Sequence, residues 1–447
     1  MSVLKTKVDA KIGADNTFKR LADLWKEGLD DTSKTDWLKW DFWKAGNTLD
    51  AYVDYLVASG NTDEHGFIER SYKEVYWPKR DYNTSGKWRD DYGWWGNAFV
   101  NVAKNFDHLG ISNNDTTRDD YISAAKNCWT CLRDNADKNW NYGMRYPDVP
   151  VNIGAGWCAW NNDGAEKYWN SKNPSTDFQP TPNTVTNLGF LSLSFGLKNL
   201  VSINDPDYKE YNVAALNGIT KWFFTLSKES HKSGKNMLFN DVLLVRETPN
   251  PWAHQKWCFD LARGWSADQG VFIHVLLEGI NSGDSATIDY SKKMLLTLLE
   301  GYQTVSENST KNTLIADSEF REFKTKPLTP GLDSNLSNFN DNYCTGPGVF
   351  MRYVSNAINK LNFDNKHKDV VELIKQSIVI SSIRALENQN EKDHQVLYWY
   401  GDIKDSPYYT FYKDAVGKQK YIWPFAFQVA ALDLFVALMK VTKAESS

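Results

Sequence analysis

The chain is 447 residues long, 41% hydrophobic and 24% charged, with a formal net charge of −5. That is apolar material enough for a large core without metals or disulfides, and too acidic a balance for a nucleic-acid partner, which demands a basic surface to neutralise phosphates. Aromatic residues make up 14%, with 19 Trp, 22 Tyr and 22 Phe; a core uses few Trp because each indole must also place its N–H, so some of these rings are expected to face a ligand, and the apolar C–H faces of sugars suit them.

The N-terminus, MSVLKTKVDAKIG, has no apolar stretch of signal-peptide length, and no run approaches the roughly 20 apolar residues of a membrane helix. The expectation is no membrane insertion and a cytoplasmic protein as written, or a secreted one if a leader was removed; N-x-S/T triplets at Asn83, Asn114, Asn308 and Asn335 keep secretion open. Apolar residues at three-to-four spacing predict a first helix over Phe18–Leu29 and a second over Trp43–Ala58, stopped by Gly60-Asn61. Trp40 and Trp43, three apart at the start of the second, share a face and are either a stacking platform or core. Lys87-Trp88-Arg89-Asp90-Asp91-Tyr92-Gly93-Trp94-Trp95 then opens a strongly apolar helix over Tyr92–Leu109, ended by Gly110. The helix over Arg118–Asn135 carries Cys128 and Cys131 in CWTC; with neither a βαβ context nor a second ligand pair, these are expected to be plain reduced side chains.

Gly154-Ala155-Gly156-Trp157-Cys158-Ala159-Trp160-Asn161-Asn162 is a Gly- and Trp-rich loop, a poor candidate for a strand or helix interior. It leads to Asn183 and Asn187, whose i, i+4 spacing puts two amides on one face of a helix over Thr184–Leu200, either to bind sugar hydroxyls or to face solvent. A helix over Tyr208–Leu226 follows, then Arg263-Gly264-Trp265-Ser266-Ala267-Asp268-Gln269 ahead of a helix over Gln269–Ile280. Ser266 with Gln269 reads as a capping box; the functional alternative puts Asp268 and Gln269 at a groove. Beyond Ile288–Gln303, the turn Gly346-Pro347-Gly348 feeds a helix over Val349–Leu361 whose Arg352 is either an internal charge partner or a ligand contact, and helices over Asp369–Glu387 and Phe425–Lys440 close the chain. No linker or composition shift divides it, so a single domain over 1–447 is expected, with about 14 N-terminal and about 6 C-terminal residues peripheral. Paired helices with long aromatic connections fit an all-α (α/α)6 toroid; the absence of a fixed-length repeat counts against an open solenoid.

Asp90 and Asp91 carry the chemistry most plainly. Two neighbouring carboxylates at a helix start can both point into a cleft, at the roughly 5 to 5.5 Å separation of retaining glycosidases. One stays ionised at the helix N-terminus as nucleophile; its neighbour, repelled by that charge and pressed against rings, keeps its proton as the acid. The bland alternative is a capping Asp followed by a first-turn Asp, worth about 1 kcal/mol of helix stability.

The order of segments, from the Trp-rich helix through Asp90-Asp91 with Trp94-Trp95, the Gly-Trp loop with Asn183 and Asn187, Trp265 to Gly270, and Gly348-Val349-Phe350-Met351-Arg352-Tyr353, resembles glycoside hydrolase family 76, the α-1,6-mannanases. Their sequences run Asp-Asp-x-x-Trp-Trp, Gly-Gly-Ile-Trp-Trp, Lys-Asn-x-x-x-Asn, Thr-Tyr-Asn-Gln-Gly and Gly-Ile-Phe-x-Arg-Tyr. The resemblance implies an (α/α)6 fold, retention at the anomeric carbon, Asp90 as nucleophile, Asp91 as acid/base, and no metal or cofactor. Trp94, Trp95, Trp157 and Trp160 would stack sugars of an α-linked polysaccharide or oligosaccharide, with Trp40, Trp43, Asn183, Asn187, Trp265, Asp268, Gln269 and Arg352 as further contacts. Ser266-Ala267-Asp268-Gln269 departs from the family pattern by losing a ring, the second Trp of the Gly-Trp loop is displaced, and insertions occur around Trp77 to Gly86 and Trp252 to Cys258. A transglycosylase or sugar lyase on the same scaffold, and a non-catalytic carbohydrate-binding protein, are the alternatives.

Overall fold

The computed structural model describes residues 3–30, 42–61, 66–85, 88–111, 115–140, 144–146, 149–151, 156–159, 184–215, 266–280, 345–360, 368–387, 389 and 422–443. Its helices are α1 (Val3–Asp30), α2 (Phe42–Ser59), α3 (Gly66–Arg70), α4 (Tyr82–Ser85), α5 (Arg89–Lys104), α6 (Arg118–Asp134), α7 (Thr184–Leu200), α8 (Tyr208–Val213), α9 (Ser266–Ile280), α10 (Gly346–Lys360), α11 (Lys368–Glu387) and α12 (Ile422–Lys443), with a π-helical turn at Ser71–Tyr76 and a 3-10 turn at Trp77–Lys79 after α3. The predicted helix over Ile288–Gln303 lies outside the described residues, as do residues 216–226 of the one over Tyr208–Leu226.

Helices α2, α5, α7, α9, α10 and α12 each pack on the next, and α12 packs back on α2, so the six close a ring. All six run the same way. Near one end Trp95 of α5 donates its indole N–H to the Phe42 carbonyl of α2 at 2.8 Å, and Gly93 of α5 faces Gly189 of α7; near the other, Asn101 of α5 meets Asp50 and Asp54 of α2, and Asn199 of α7 meets Glu278 of α9. Parallel neighbours in the ring require each connection to return along the outside. That outer layer is α1 against α12, the segment 66–79 against α2 and α5, α6 against α5 and α7, α8 against α7, and α11 against α12.

Small residues let the ring tighten. A Cβ on Gly270 of α9 would sit 2.8 Å from the Phe350 Cα of α10, and one on Gly348 of α10 would collide with the Ala430 backbone of α12; the Gly346-Pro347-Gly348 segment is therefore the first turn of α10 rather than a turn before it. Gly60 ends α2 at φ +70°, its N–H bonded to the Leu56 carbonyl at 3.0 Å. The first helix begins at Val3, well before the predicted Phe18, and Ala10 and Ala14 are fully buried, so this part of the chain packs rather than fringes the domain.

Between α6 and α7, where a Gly- and Trp-rich loop ill-suited to a strand is expected, the described residues form two antiparallel ribbons, β1 (Ala136–Trp140) with β4 (Gly156–Ala159) and β2 (Met144–Tyr146) with β3 (Val149–Val151). The pairs Ala136 with Ala159 and Asp137 with Cys158 give part of the Gly-Trp loop its backbone partners, from a strand 20 residues upstream that local pattern could not supply. One described segment, Phe425–Thr442 in α12, is long and apolar enough to cross a membrane, against the expectation that none is; 89% of it is buried as a wall of the ring.

Candidate active site

The first turn of α5 is built without a conventional cap. Trp88 occupies the N-cap with extended backbone (φ −69°, ψ 151°) and makes no side-chain capping bond, so Arg89, Asp90 and Asp91 take the first three helical positions. Asp90 is half-buried and its Oδ1 accepts the Asp91 N–H at 3.0 Å; Asp91 is 7% exposed. Neither aspartate is the N-cap, which removes the simplest bland role for Asp90. Arg89 is turned to the outer wall: its Nη1 donates to the Cys131 carbonyl and Sγ at 3.3 and 3.1 Å, and its guanidinium lies 4.1 Å from the Tyr82 ring centroid. Tyr92 donates its hydroxyl to the Lys79 carbonyl at 2.6 Å; burial, with Cys131, Cys128 and Asp91 nearby, pushes the phenol above its ordinary range and keeps it a neutral donor. Cys128 and Cys131 are buried thiols that form no disulfide, in keeping with the expectation of plain reduced side chains.

Rings collect at the same end. Trp43 of α2 and Trp94 of α5 are both half-buried with centroids 5.5 Å apart, and the Lys44 ammonium stands 5.6 Å from the Trp43 centroid. Trp95, one residue on, is 0% exposed and packs on Phe42, Tyr76 and Phe99. One helical step rotates a side chain by about 100°, which leaves Trp94 half-buried against Trp43 and turns Trp95 into the core; Trp95 is a packing residue, not a sugar platform.

Three further expected contacts also lie inside the protein. Asn187 is fully buried and clasps β4 edge-on: its Oδ1 accepts the Ala159 N–H at 2.8 Å and its Nδ2 donates to the Ala159 carbonyl at 3.0 Å. It therefore neither faces solvent nor reaches a ligand; it fixes the strand that carries Trp157. Asp268 is 0% exposed in the first turn of α9. Arg352, 1% exposed, bridges three ring helices: its Nη1 meets Asp50 Oδ2 at 2.6 Å, its Nε and Nη2 meet both oxygens of Asp433 at 2.8 Å, and its Nη2 also reaches Asn47 Oδ1 at 3.1 Å. Burial opposes the guanidinium charge, but Asp433 and Asp50 outweigh it and hold Arg352 protonated. Trp40, Trp160, Asn183 and Trp265 lie outside the described residues, and so do the side chains of Trp157 and Gln269.

The sequence reading missed most of this network. Asn101 donates to Asp50 and Asp54 at 2.7 and 3.0 Å, and Lys440 donates to Asp54 at 2.6 Å, so α2, α5, α10 and α12 share one set of charges. Burial would push the Asp54 carboxyl up, but Lys440 and then Arg352 hold it below the ordinary range. The available signal was Asp433, a single carboxylate in the apolar run Phe425–Thr442, which a buried helix tolerates only with a partner. Asp50, Asp54, Asn101, Arg352 and Lys440 border a cavity of about 460 Å³ that also takes in His274 and Glu278 of α9 and Gly196 of α7. It opens near the C-terminal ends of the ring helices, with α5 contributing Asn97 to Lys104, whereas Asp90 and Asp91 sit at the opposite end of that helix. Among the described residues no group of three or more His, Cys, Asp or Glu is placed to hold a metal ion.

No family model matches the sequence, and no curated protein matches it. Solved structures do. An α-1,6-mannanase, GH76A of Salegentibacter sp. HEL1_6, superposes with a TM-score of 0.58 over 96% of this chain and 98% of its own, at 12% identity. The chain has the helical-toroid fold. An inactive variant of that mannanase, with two consecutive aspartates replaced by alanine and α-1,6-mannotetrose bound, gives a TM-score of 0.57 over the same shares of both chains at 11% identity. Dfg5 of Chaetomium thermophilum, in complex with glucosamine, gives 0.55 over 89% of this chain and 80% of its own at 14% identity. In this toroid the N-terminal ends of the ring helices carry the long connections, 49 residues between α6 and α7 and 34 between α11 and α12, and that is the end at which Asp90, Asp91, Trp43 and Trp94 gather.

Proposed function

We propose that this chain is a retaining glycoside hydrolase of the family 76 type that cleaves α-1,6-linked mannan or a closely related α-linked polysaccharide. The observation that carries the reading is the placement of Asp90 and Asp91: consecutive, uncapped, in the first turn of a ring helix, at the end of the toroid with long connections. A mannanase of the same fold is inactive when two consecutive aspartates are replaced by alanine, which supports assigning the chemistry to this pair.

The helix N-terminus and the Asp91 N–H favour the charged form of Asp90, the form a nucleophile needs. Burial favours the neutral form of Asp91, the form a proton donor needs. Asp90 attacks the anomeric carbon while Asp91 protonates the departing glycosidic oxygen, leaving a glycosyl ester on Asp90. Asp91, now a carboxylate, takes a proton from water as that water attacks the same carbon, freeing Asp90 and restoring the acid. Two inversions give net retention. Trp43 and Trp94, with Trp157 and Trp160 on the connection that Asn187 anchors, are the rings that stack successive sugars.

Incubation with α-1,6-mannotetraose, followed by chromatography of the products and NMR of the first anomer released, tests the reading. Shorter mannosides with the α-anomer first are expected, and Asp90→Asn should abolish their formation. Release of the β-anomer, or a fully active Asp90→Asn enzyme, would exclude it.

A further inference from the structure

A second pocket opens on the outer wall, between the π-helical and 3-10 turns of residues 71–79 and the outer helix α6. It encloses about 390 Å³. Tyr72 and Tyr76, both buried, form its floor, and Trp77, 46% exposed, is its wall. Trp77 is the largest exposed ring among the described residues. Leaving an indole open costs apolar burial, and its placement is held from two sides: Tyr72 lies 5.6 Å from its ring centroid and the Arg80 guanidinium stacks 3.9 Å from it, fixed by a 2.6 Å bond from Nη1 to the Trp77 carbonyl.

The rim carries hydrogen-bonding groups left over from protein pairing. Among the described residues the Trp77 indole N–H has no acceptor, Arg80 uses only one of its guanidinium nitrogens, and the Ser123 hydroxyl has no partner. Asp81 spends Oδ1 on the Asn83 N–H and leaves Oδ2 open, and Asn127 spends both donated bonds on Tyr76 and Arg80 and leaves its carbonyl open. An apolar floor and wall, ringed by alternating donors and acceptors, matches a pyranose, which presents C–H faces and a belt of hydroxyls. Arg80 and Asp81 cancel in charge, which favours a neutral sugar over a phosphate or a uronate. Position adds a reason. The segment that forms the pocket also packs on the helix that carries Asp90 and Asp91, with Tyr82 edge-on to Tyr92, Tyr76 against Trp95 and Tyr72 against Phe99, so the pocket lies on the outer wall alongside that helix.

We propose that the Trp77 pocket binds one residue of a neutral polysaccharide outside the catalytic groove, so that a polymer is held at two places while a short oligosaccharide is held at one. The choice of glycan rests on the proposed function; the chemistry of the pocket does not. Two-point attachment raises apparent affinity without a new catalytic contact.

The test is affinity electrophoresis of the full chain in native gels containing soluble unbranched α-1,6-mannan, using Asp90→Asn as the background so that the polymer is not consumed. Trp77→Ala, and independently Ser123→Arg, which fills the pocket from α6 without touching the indole, are each expected to weaken retardation by about tenfold. In the active chain both should raise KM on the polymer and leave the rate on α-1,6-mannotetraose within twofold. Equal retardation with the pocket open or filled, or no retardation of the Asp90→Asn chain, overturns the inference. If the wild type fails to cleave mannotetraose while retardation still depends on Trp77, the pocket stands and only the hydrolase reading falls.

Discussion

The tetrapeptide Arg-Asp-Asp-Tyr occurs twice, at Arg89–Tyr92 and at Arg118–Tyr121, and both copies form the first turn of a helix. Their aspartates occupy the same helical positions, and both tyrosines are fully buried. The difference lies in the residue before and the layer around. On the outer helix α6, Thr117 is the N-cap and forms a full capping box: its Oγ1 accepts the Asp120 N–H at 3.3 Å and Asp120 Oδ2 accepts the Thr117 N–H at 2.7 Å, with Asp119 exposed. That pair works as helix punctuation. On the ring helix α5, Trp88 gives no side-chain cap, Asp91 is buried, and the reciprocal capping box is replaced by one bond within the pair, from the Asp91 N–H to Asp90 Oδ1. The same tetrapeptide therefore sits in two different settings, a capped outer helix and a ring helix without a side-chain cap, and the tetrapeptide alone does not say which it will meet.

The sharpest break of this comparison is kinetic. Asp90→Asn and Asp91→Asn should each lower turnover on α-1,6-mannotetraose by about 10³-fold or more, while Asp119→Asn and Asp120→Asn leave it unchanged; steady-state rates on all four variants decide it. The largest stability effect is expected far from either pair. Arg352→Met leaves Asp50 and Asp433 buried without their cation and should cost about 3–5 kcal/mol in chemical denaturation. Gly348→Ala forces a methyl into the Ala430 backbone and should cost about 1–3 kcal/mol. Thr117→Ala removes only the outer cap and should cost about 1 kcal/mol with turnover intact.

The same buried charges give a pH signature. Asp433 has an ordinary value of 3.8 when unfolded; in the ring, burial outweighs the Arg352 contribution and pushes it up to about 6. The folded state therefore holds this proton more tightly than the unfolded one. Stability from the group is full below its unfolded value and is lost as pH rises through about 6. The melting midpoint of Asp433→Asn relative to the wild type should shift upward between about pH 4 and pH 6 and then stay level; a difference that does not change over that range contradicts the raised value.

Much of the toroid was legible because ring helices bury apolar stripes of period 3.6, and stops such as Gly60 and Gly110, both at positive φ, are local. The ribbon pairing β1 with β4 was not, since its partner lies 20 residues away in a stretch with no alternation. In the site, sequence placed Asp90, Asp91, Trp43 and Trp94 together but could not separate Trp94 from Trp95, which differ by one helical step, nor see that Asn187 clasps a strand and that Arg352 is consumed by Asp50 and Asp433. Those roles depend on partners at separations of 28, 81 and 302 residues, which no local pattern encodes.

The most direct measurement is chemical trapping with a slow fluorinated mannosyl fluoride, followed by peptide mass spectrometry of the digested protein. The glycosyl mass is expected on the peptide containing Trp88–Gly93, located by fragmentation at Asp90 and absent from Asp90→Asn. Label on Asp119, Asp120 or any other carboxylate, with Asp90 unmodified, would contradict the assignment.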